Sequence, residues 1–269
     1  MPSTVLKLGV VLGVALALAG WPRDHAGAKP LKGAEVLSRE AVTYGKWEGR
    51  MLAARGSGIL STFFLYKWNS HQPGERWEEV DIEVFGQEGA HRWQSTIITG
   101  VGALTYSKAV HASPVSMADA YHTFTLEWAP DRVVWSVNGR EIRRAEGEQV
   151  RLLRSPQTFR FNLWVSSNEA WVGPFDPAVL PRHQFVDWIR YWAYTPGRGP
   201  GGTDFTLQWE DDFGTFDDRR WTKAAATFDE NLADFVPANV TVRDGKLVLS
   251  LTREGAEGFT GKAPPDTEP

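Results

Sequence analysis

The chain has 269 residues, with 33 acidic side chains against 29 basic ones, and it contains no cysteine. A net charge of −4 argues against nucleic acid as a partner, because binding to phosphates needs a basic surface. Without cysteine no disulfide stabilises the fold, and the length suits one large domain with its own core.

Residues 1–28 predict a secretory signal peptide. Lys7 precedes an apolar run over residues 8–19, and small residues end at Ala28. The run is shorter than the roughly 20 residues that span a bilayer. We therefore expect a secreted protein without membrane contact after cleavage, with transit through a periplasm as a possible route. Cleavage after Ala19 and an uncleaved membrane anchor are the alternatives.

Residues 29–252 predict one all-β domain. Short segments of β-branched and aromatic residues alternate with Gly, Pro, Asn and Ser turns, and no long stretch has helical periodicity. Asn138-Gly139 predicts a type I′ hairpin, and residues 116–120 or 177–180 could form a single helical turn. Many evenly spaced strands indicate a jelly-roll sandwich of two antiparallel sheets. The predicted strands are residues 35–37, 42–51, 58–66, 79–85, 94–99, 122–128, 132–137, 141–144, 158–164, 184–193, 205–209 and 240–251.

Residues 253–269 form a C-terminal segment rich in glycine, proline and charge. Such a composition buries too little apolar surface to offset the entropy of ordering. We expect this tail to be disordered.

The segment Glu-Val-Asp-Ile-Glu at residues 79–83 carries the main functional signal. Strand periodicity places Glu79, Asp81 and Glu83 on one face and apolar residues on the other. Like charges in a row repel, so a purely structural use is uncommon, although an edge strand with a solvated acidic face is the alternative. Glycoside hydrolysis with retention needs two nearby carboxyl groups, and an intervening acid can separate their pKa values.

Aromatic residues surround this segment. Trp77 falls on the same strand face as Glu79, and Phe64 and Tyr66 are in phase on the preceding strand. The 13 tryptophans are many for this length and favour a sugar-binding cleft, although aromatic residues in strands more often belong to the core.

Several segments together resemble the glycoside hydrolases of family 16, and within that family the bacterial 1,3-1,4-β-glucanases, or lichenases. They are residues 44–51, 58–64, 79–83, 122–128, 161–164 and 186–189. The resemblance covers nearly everything after residue 30. It implies a jelly roll that hydrolyses a β-glucan polysaccharide, without an organic cofactor, and we expect a monomer.

The resemblance also implies residue roles. Glu79 would be the nucleophile, Glu83 the general acid/base and Asp81 the helper between them. Only one residue separates Asp81 from Glu83, which favours lichenases or xyloglucan-active relatives over 1,3-β-glucanases. The other residues expected to contact sugar are the aromatic Phe64, Tyr66, Trp77, Trp164 and Trp171 and the polar Asn69, Gln94, Arg160 and Asn162. For Trp164 the alternative is core packing, and for Arg160 it is a salt bridge to an acid.

The order of segments departs from the usual family pattern. The segment that begins typical lichenases matches residues 209–249 here and comes last. A Gly/Pro-rich stretch near residues 196–203 joins it to the strand that usually ends the domain. The chain therefore resembles the circularly permuted branch of the family. The alternative is a linker to a separate module over residues 205–252, which would be small for an independent domain.

Two further expectations rest on the resemblance alone. A structural Ca²⁺ would be bound by Asp187, Asp212 and the backbone carbonyl of Gly245, since oxygen ligands suit that ion. Ala226 stands where close relatives carry an aromatic residue, so we expect weaker binding at that subsite.

The activity favoured is endo-hydrolysis of mixed-linkage 1,3-1,4-β-D-glucan by double displacement. A 1,3-β-glucanase or a xyloglucan-active enzyme is the alternative among enzymes. A lectin-like jelly roll that binds polysaccharide without cleaving it is the alternative outside them, but it would not need all three acids.

Overall fold

The computed structural model describes residues 28–269, so nearly all of the predicted signal peptide lies outside the described residues. Within that range no helix is long and apolar enough to cross a membrane. The strands are β1 (Leu31–Val42), β2 (Gly45–Leu52), β3 (Ile59–Tyr66), β4 (Arg76–Phe85), β5 (Arg92–Val101), β6 (Ala103–Ala112), β7 (His122–Trp128), β8 (Arg132–Val137), β9 (Arg140–Glu146), β10 (Gln157–Val165), β11 (Arg182–Tyr194), β12 (Phe205–Asp211), β13 (Trp221–Lys223), β14 (Ala233–Phe235), β15 (Val240–Arg243) and β16 (Lys246–Arg253). The α-helices are single turns, α1 (Glu148–Arg151) and α2 (Glu169–Val172), and 3₁₀ turns occupy Gln87–Gly89, Pro177–Val179, Pro200–Gly202 and Pro237–Asn239.

Two antiparallel sheets form the sandwich. The first sheet has the order β6-β5-β4-β3-β10-β1, and the second has the order β16-β11-β2-β7-β8-β9. A short pairing of β1 with β16, at Leu31 and Lys32, joins their edges. The short strands β13 and β14 pair with β1, β12 pairs with β11, and β15 pairs with β16. The all-β jelly-roll prediction is confirmed.

The core lies between the two sheets. Val80, Ile82 and Val84 on β4 are fully buried there, and each such side chain contributes roughly 1.5–3 kcal/mol. From the second sheet, Trp135 Nε1 donates a hydrogen bond of 3.0 Å to the backbone carbonyl of Asp81. The core therefore fixes the strand that carries the acids, and it does so from the face opposite to them.

Tryptophan serves the core more than the sequence suggested. Five indoles are at most 1% exposed: Trp47, Trp93, Trp128, Trp135 and Trp221. The abundance of tryptophan is therefore only in part a signal of sugar binding.

The predicted turns agree with the structure more closely than the strand count does. Asn138 and Gly139 have φ values of 50° and 75°, as a type I′ hairpin between β8 and β9 requires. The predicted strand over residues 240–251 is instead a hairpin, because Asp244 and Gly245 also take positive φ. β6, β13 and β14 were not predicted. β6 is an edge strand in which Leu104, Tyr106 and Val110 alternate but no side chain is fully buried, and the other two have only three residues each.

Some residues of the segment over residues 253–269 contact the second sheet. The Phe259 ring lies 4.7 Å from His183 and 5.4 Å from Phe185, measured between ring centroids. Arg50 Nε, on β2, donates a hydrogen bond of 2.6 Å to Asp266. These contacts involve Phe259 and Asp266, and the disorder of the tail as a whole stays a prediction.

The segment after the Gly/Pro-rich stretch belongs to the same sandwich. β12 forms an antiparallel hairpin with β11, with Tyr194 opposite Phe205. β16 pairs with β11 on one side and with β1 on the other. Residues 205–252 are therefore not a separate module, and residues 196–203 form a hairpin connection.

Candidate active site

The three acids lie on the face of the first sheet that points away from the core, here called the acid face. Strand register places Thr62 and Gln94 on either side of Glu83. In the same way Asp81 lies between Phe64 and Thr96, and Glu79 lies between Tyr66 and Ile98. Both registers run without a bulge across the acids, so the predicted alternation is confirmed.

Glu79 is held from two sides. Trp77 Nε1 donates a hydrogen bond of 2.5 Å to Glu79 Oε2, and the Asp81 side chain is hydrogen-bonded to the same carboxyl. Burial raises the pKa of Glu79 to about 7, while these two hydrogen bonds and the charge of Arg160 oppose that rise. Each of these partners favours the ionised form of Glu79.

Glu83 has a separate set of partners on β5. Gln94 Nε2 donates a hydrogen bond of 2.9 Å to Glu83 Oε2, and the Thr96 hydroxyl donates one of 3.2 Å to the same oxygen. Burial raises the pKa of Glu83 to about 7, and the negative charge of Glu79 adds to that rise. A carboxyl in this state can exchange a proton near neutral pH.

Asp81 lies between the two glutamates of the row and shares a hydrogen bond with Glu79. Burial and then the charges of Glu79 and Glu83 raise its pKa well above the usual range. Its hydrogen bond to Glu79 raises the pKa of Asp81 and lowers that of Glu79. Asp81 therefore acts as the donor to Glu79, which separates the protonation states of neighbouring carboxyls.

The polar residues on β10 are organised by an acid that the sequence did not single out. Glu35 on β1 is 4% exposed and accepts a hydrogen bond of 2.9 Å from Arg160 Nη1. Its second oxygen accepts a hydrogen bond of 3.2 Å from Asn162 Nδ2. The salt bridge considered for Arg160 therefore exists, but its partner is Glu35 rather than an acid of the row. Only the pairing of β1 with β10 reveals this.

The aromatic residues of β3 are packed more tightly than open platforms would be. Phe64 and Tyr66 are 6% and 7% exposed. The Arg160 guanidinium lies 4.6 Å from the Tyr66 ring centroid, and the Tyr66 hydroxyl lies 3.1 Å from His71 Nδ1. Trp77 is half-buried and contacts Tyr66 edge to face. Trp77 therefore offers more of its ring to a ligand than the other two do.

The remaining predicted aromatics form a cluster beyond Glu83. Trp164 donates from Nε1 to the Thr62 hydroxyl at 3.2 Å, and Trp171 on α2 donates to Gln94 Oε1 at 3.3 Å. The sequence missed Phe228, which is 39% exposed and lies edge-on to Trp164 at 5.0 Å. Phe228 lies two residues after Ala226 and supplies an exposed aromatic ring at this end of the acid face.

Asn69 lies in the loop between β3 and β4, and its side chain is hydrogen-bonded to Glu75. In the same loop Trp68 is 39% exposed, and the Arg160 guanidinium lies 5.8 Å from its ring. Trp68 is therefore a better placed contact for a ligand than Asn69 at this end. The sequence analysis did not include Trp68, because its position depends on the fold of the loop.

The residues predicted to bind calcium have other partners. Asp187 accepts a hydrogen bond of 2.5 Å from Lys246 Nζ and is also hydrogen-bonded to Asp266. Asp212 accepts from the backbone N–H of Gly214, and Gly245 lies in the β15–β16 turn. Residues 28–269 contain no group of three or more His, Cys, Asp or Glu that could hold a metal ion. An ammonium group already neutralises Asp187, so the set fits calcium poorly and no chemistry is assigned to a metal.

Comparison with known proteins agrees with this geometry. The sequence model of Glycosyl hydrolases family 16 matches residues 19–189. A beta-glucanase of Fibrobacter succinogenes is 48% identical over 260 residues, which are 96% of this chain and 74% of the relative. A beta-glucanase of Bacillus subtilis is 31% identical over 158 residues, which are 58% of this chain and 62% of the relative.

Solved structures show the same fold. A beta-glucanase of Bacillus licheniformis has a TM-score of 0.52 and 25% identity, covering 60% of this chain and 77% of that chain. A prokaryotic beta-1,3-1,4-glucanase (lichenase) derived from a mouse hindgut metagenome has a TM-score of 0.50 and 20% identity, covering 64% and 89%.

Proposed function

The chain belongs to the glycosyl hydrolases of family 16, and we propose that it is a secreted, retaining endo-β-glucanase that hydrolyses mixed-linkage 1,3-1,4-β-D-glucan. The observation that carries this proposal is the row of Glu79, Asp81 and Glu83 on one strand face, in which each acid has different partners. A solvated acidic edge would need neither these hydrogen bonds nor this degree of burial.

The partners suggest the division of labour. Glu79 receives hydrogen bonds from Trp77 and Asp81, so its carboxylate is available to attack the anomeric carbon. Glu83, with its raised pKa, gives a proton to the leaving glycosidic oxygen. In the second step Glu83 takes a proton from water, which displaces Glu79 from the glycosyl-enzyme and restores the anomeric configuration.

Three observations support the choice of substrate. β4 pairs with both neighbours without a bulge through the acids, as the single-residue spacing between Asp81 and Glu83 predicts for lichenases and xyloglucan-active relatives. The Fibrobacter succinogenes and Bacillus relatives carry the name beta-glucanase. Trp68 and Phe228 offer exposed rings towards opposite ends of the row, and such rings can pack on the apolar faces of sugars.

Circular permutation is part of the same proposal. Residues 196–203 connect β11 and β12 as a plain hairpin, and the backbone N–H of Glu254 donates to the Pro30 carbonyl. In a circularly permuted domain, a short connection joins the ancestral ends, as residues 196–203 would do. The new ends of the domain, near Pro30 and Glu254, must also lie close together. The Fibrobacter succinogenes relative matches 96% of the chain, whereas the Bacillus subtilis relative matches 58%.

The test is the release of reducing ends from barley mixed-linkage glucan, laminarin and xyloglucan. Wild type is compared with Glu79→Gln and Glu83→Gln, and Glu148→Gln on the exposed start of α1 is the matched control. We expect cleavage of the barley glucan alone, lost in both active-site variants and kept in the control. Cleavage of laminarin or xyloglucan instead would overturn the substrate. Binding without cleavage by the wild type would favour the lectin-like alternative.

A further inference from the structure

Two cations flank the row of acids from opposite sides. Arg160 on β10 is 2% exposed, and its charge favours the ionised form of Glu79. Lys108 lies on β6, the solvated edge strand that sequence analysis did not predict. The charge of Lys108 favours the ionised forms of Asp81 and Glu83. The two ends of the row therefore have different sources of positive charge.

Strand register places Lys108 in line with the acids. Lys108 is opposite Thr96 on β5, and Thr96 is opposite Asp81 on β4. Side chains opposite each other in a sheet share a face, so Lys108 projects on the acid face. Two strand spacings separate the Cα atoms of Lys108 and Asp81 by about 10 Å, which a lysine side chain can partly span.

The ammonium group is directed along the sheet surface. It lies 4.7 Å from the centroid of the Tyr106 ring and 5.9 Å from that of the Trp171 ring. Trp171 donates to Gln94, which in turn donates to Glu83. Trp171 on α2 therefore links the charge to the Glu83 end of the row, whereas Tyr106 is opposite Ile98, which is itself opposite Glu79.

The Lys108 charge is not held in a salt bridge within residues 28–269. Among the described residues Lys108 has no ion pair with a carboxylate, whereas Arg160 is paired with Glu35. The other titratable or charged groups that act on the row or on Tyr106 are Glu79, Glu35, Arg160, Tyr66 and Glu230. An uncompensated cation acts over longer distances than a paired one does.

We propose that Lys108 is a positioning residue of the hydrolytic site, providing the counter-charge for the Asp81–Glu83 end of the row as Arg160 does for the Glu79 end. The inference rests on the proposed function, because it assigns Glu83 the role of acid. Lys108 acts through the carboxyls and does not itself exchange the reacting proton.

The direction of the effect follows from the role of Glu83. Lys108 lowers the pKa of Glu83 relative to the same site without it, so its removal raises that pKa. The general acid then stays protonated to higher pH, and the alkaline limb of the kcat/KM profile moves to higher pH. For a charge about 10 Å away, the expected shift lies between about 0.3 and 1 pH unit.

The experiment compares pH profiles of kcat and kcat/KM on barley glucan for wild type, Lys108→Met and Lys108→Arg. Lys262→Met, an exposed lysine of the tail, is the control. We expect the alkaline limb to move to higher pH in Lys108→Met and to keep its position in Lys108→Arg and the control. Added salt should move the wild-type limb in the same direction and leave that of Lys108→Met nearly unchanged, because salt screens the exposed ammonium.

Alkaline limbs that superimpose for wild type and Lys108→Met would overturn the inference. A rise in KM without a shift of the limb would overturn it too, because it would mean that Lys108 binds sugar. A second measurement does not depend on activity. Titration of ¹³C-labelled carboxyl groups by NMR, without substrate, should show the Glu83 midpoint moving upwards in Lys108→Met. If the wild type hydrolyses no glucan while the Glu83 midpoint is still higher in Lys108→Met, the proposed function is overturned and the electrostatic role is not.

Discussion

Glu35 and Arg160, which are 125 positions apart in the chain, form a buried ion pair with an N···O distance of 2.9 Å. The pair lies beside the row of acids, and Glu35 also accepts a hydrogen bond from Asn162. One carboxylate of β1 therefore orients both polar residues that the sequence assigned to sugar binding on β10.

We predict that Glu35→Gln destabilises the protein by about 3 kcal/mol, because it leaves a buried guanidinium without its counter-charge. Arg160 would then lose its fixed orientation, and kcat/KM should fall as well. Urea unfolding and kinetics on barley glucan measure the two effects. Glu210→Gln breaks the exposed pair with Arg190 and should cost less than about 1 kcal/mol. Equal losses in the two variants would contradict a special role for Glu35.

The raised pKa values of the acids predict that the site costs stability once the pH rises above the ordinary range of a carboxyl pKa. The pKa of Glu83 is about 7 in the folded protein and near its ordinary value of 4.5 in the unfolded chain. The unfolded state therefore loses its proton first, and stability contributed by this group falls as pH rises from about 4.5 to 7.

Glu83→Gln removes this dependence. We compare the free energy of unfolding of the variant with that of wild type at pH 4 and at pH 8. We expect this difference to shift in favour of the variant by about 2–3 kcal/mol between the two pH values. Urea unfolding of the two proteins at both pH values measures the gain. A wild-type–variant difference that does not depend on pH would show that Glu83 ionises in the folded protein as it does in water.

Phe228 is predicted to contribute to glucan binding, because its exposed ring lies beside Trp164 at the end of the acid face. Phe228→Ala should raise KM by about 3–10-fold with a smaller change in kcat, as expected for the loss of one aromatic contact. Leu232→Ala, a comparably exposed apolar residue nearby in the chain, is the control. An unchanged KM would mean that Phe228 does not bind glucan and that the subsite is weak, as Ala226 suggested.

The pair of Lys246 and Asp187 bears on the predicted calcium site. If the carboxylates of Asp187 and Asp266 can bind calcium, the Lys246 ammonium must compete with it. We therefore expect Lys246→Met to show a larger rise in Tm on addition of calcium than wild type does, since binding to the folded state stabilises by mass action. Thermal unfolding with calcium and with EDTA measures this. Equal behaviour of the two proteins would indicate that Asp187 is not a ligand.

Local pattern was enough for much of the fold. Strand periodicity predicted most of the long strands, and Asn138-Gly139 predicted the hairpin between β8 and β9. The failures have physical causes. β6 is an edge strand whose alternating apolar residues are interrupted by Lys108, and the tail contacts Arg50, His183 and Phe185, which lie far away in the chain. Composition cannot report such contacts.

By itself, the sequence determined that Glu79, Asp81 and Glu83 share one face of a strand, because side-chain direction in a strand depends only on position along the chain. Together with the neighbouring motifs, it also predicted which kind of chemistry to expect there. Only the tertiary structure decided which acid holds its proton, that Glu35 orients Arg160, and that Lys108 faces the row. Those properties depend on burial and on distances between remote strands, and a linear pattern contains neither.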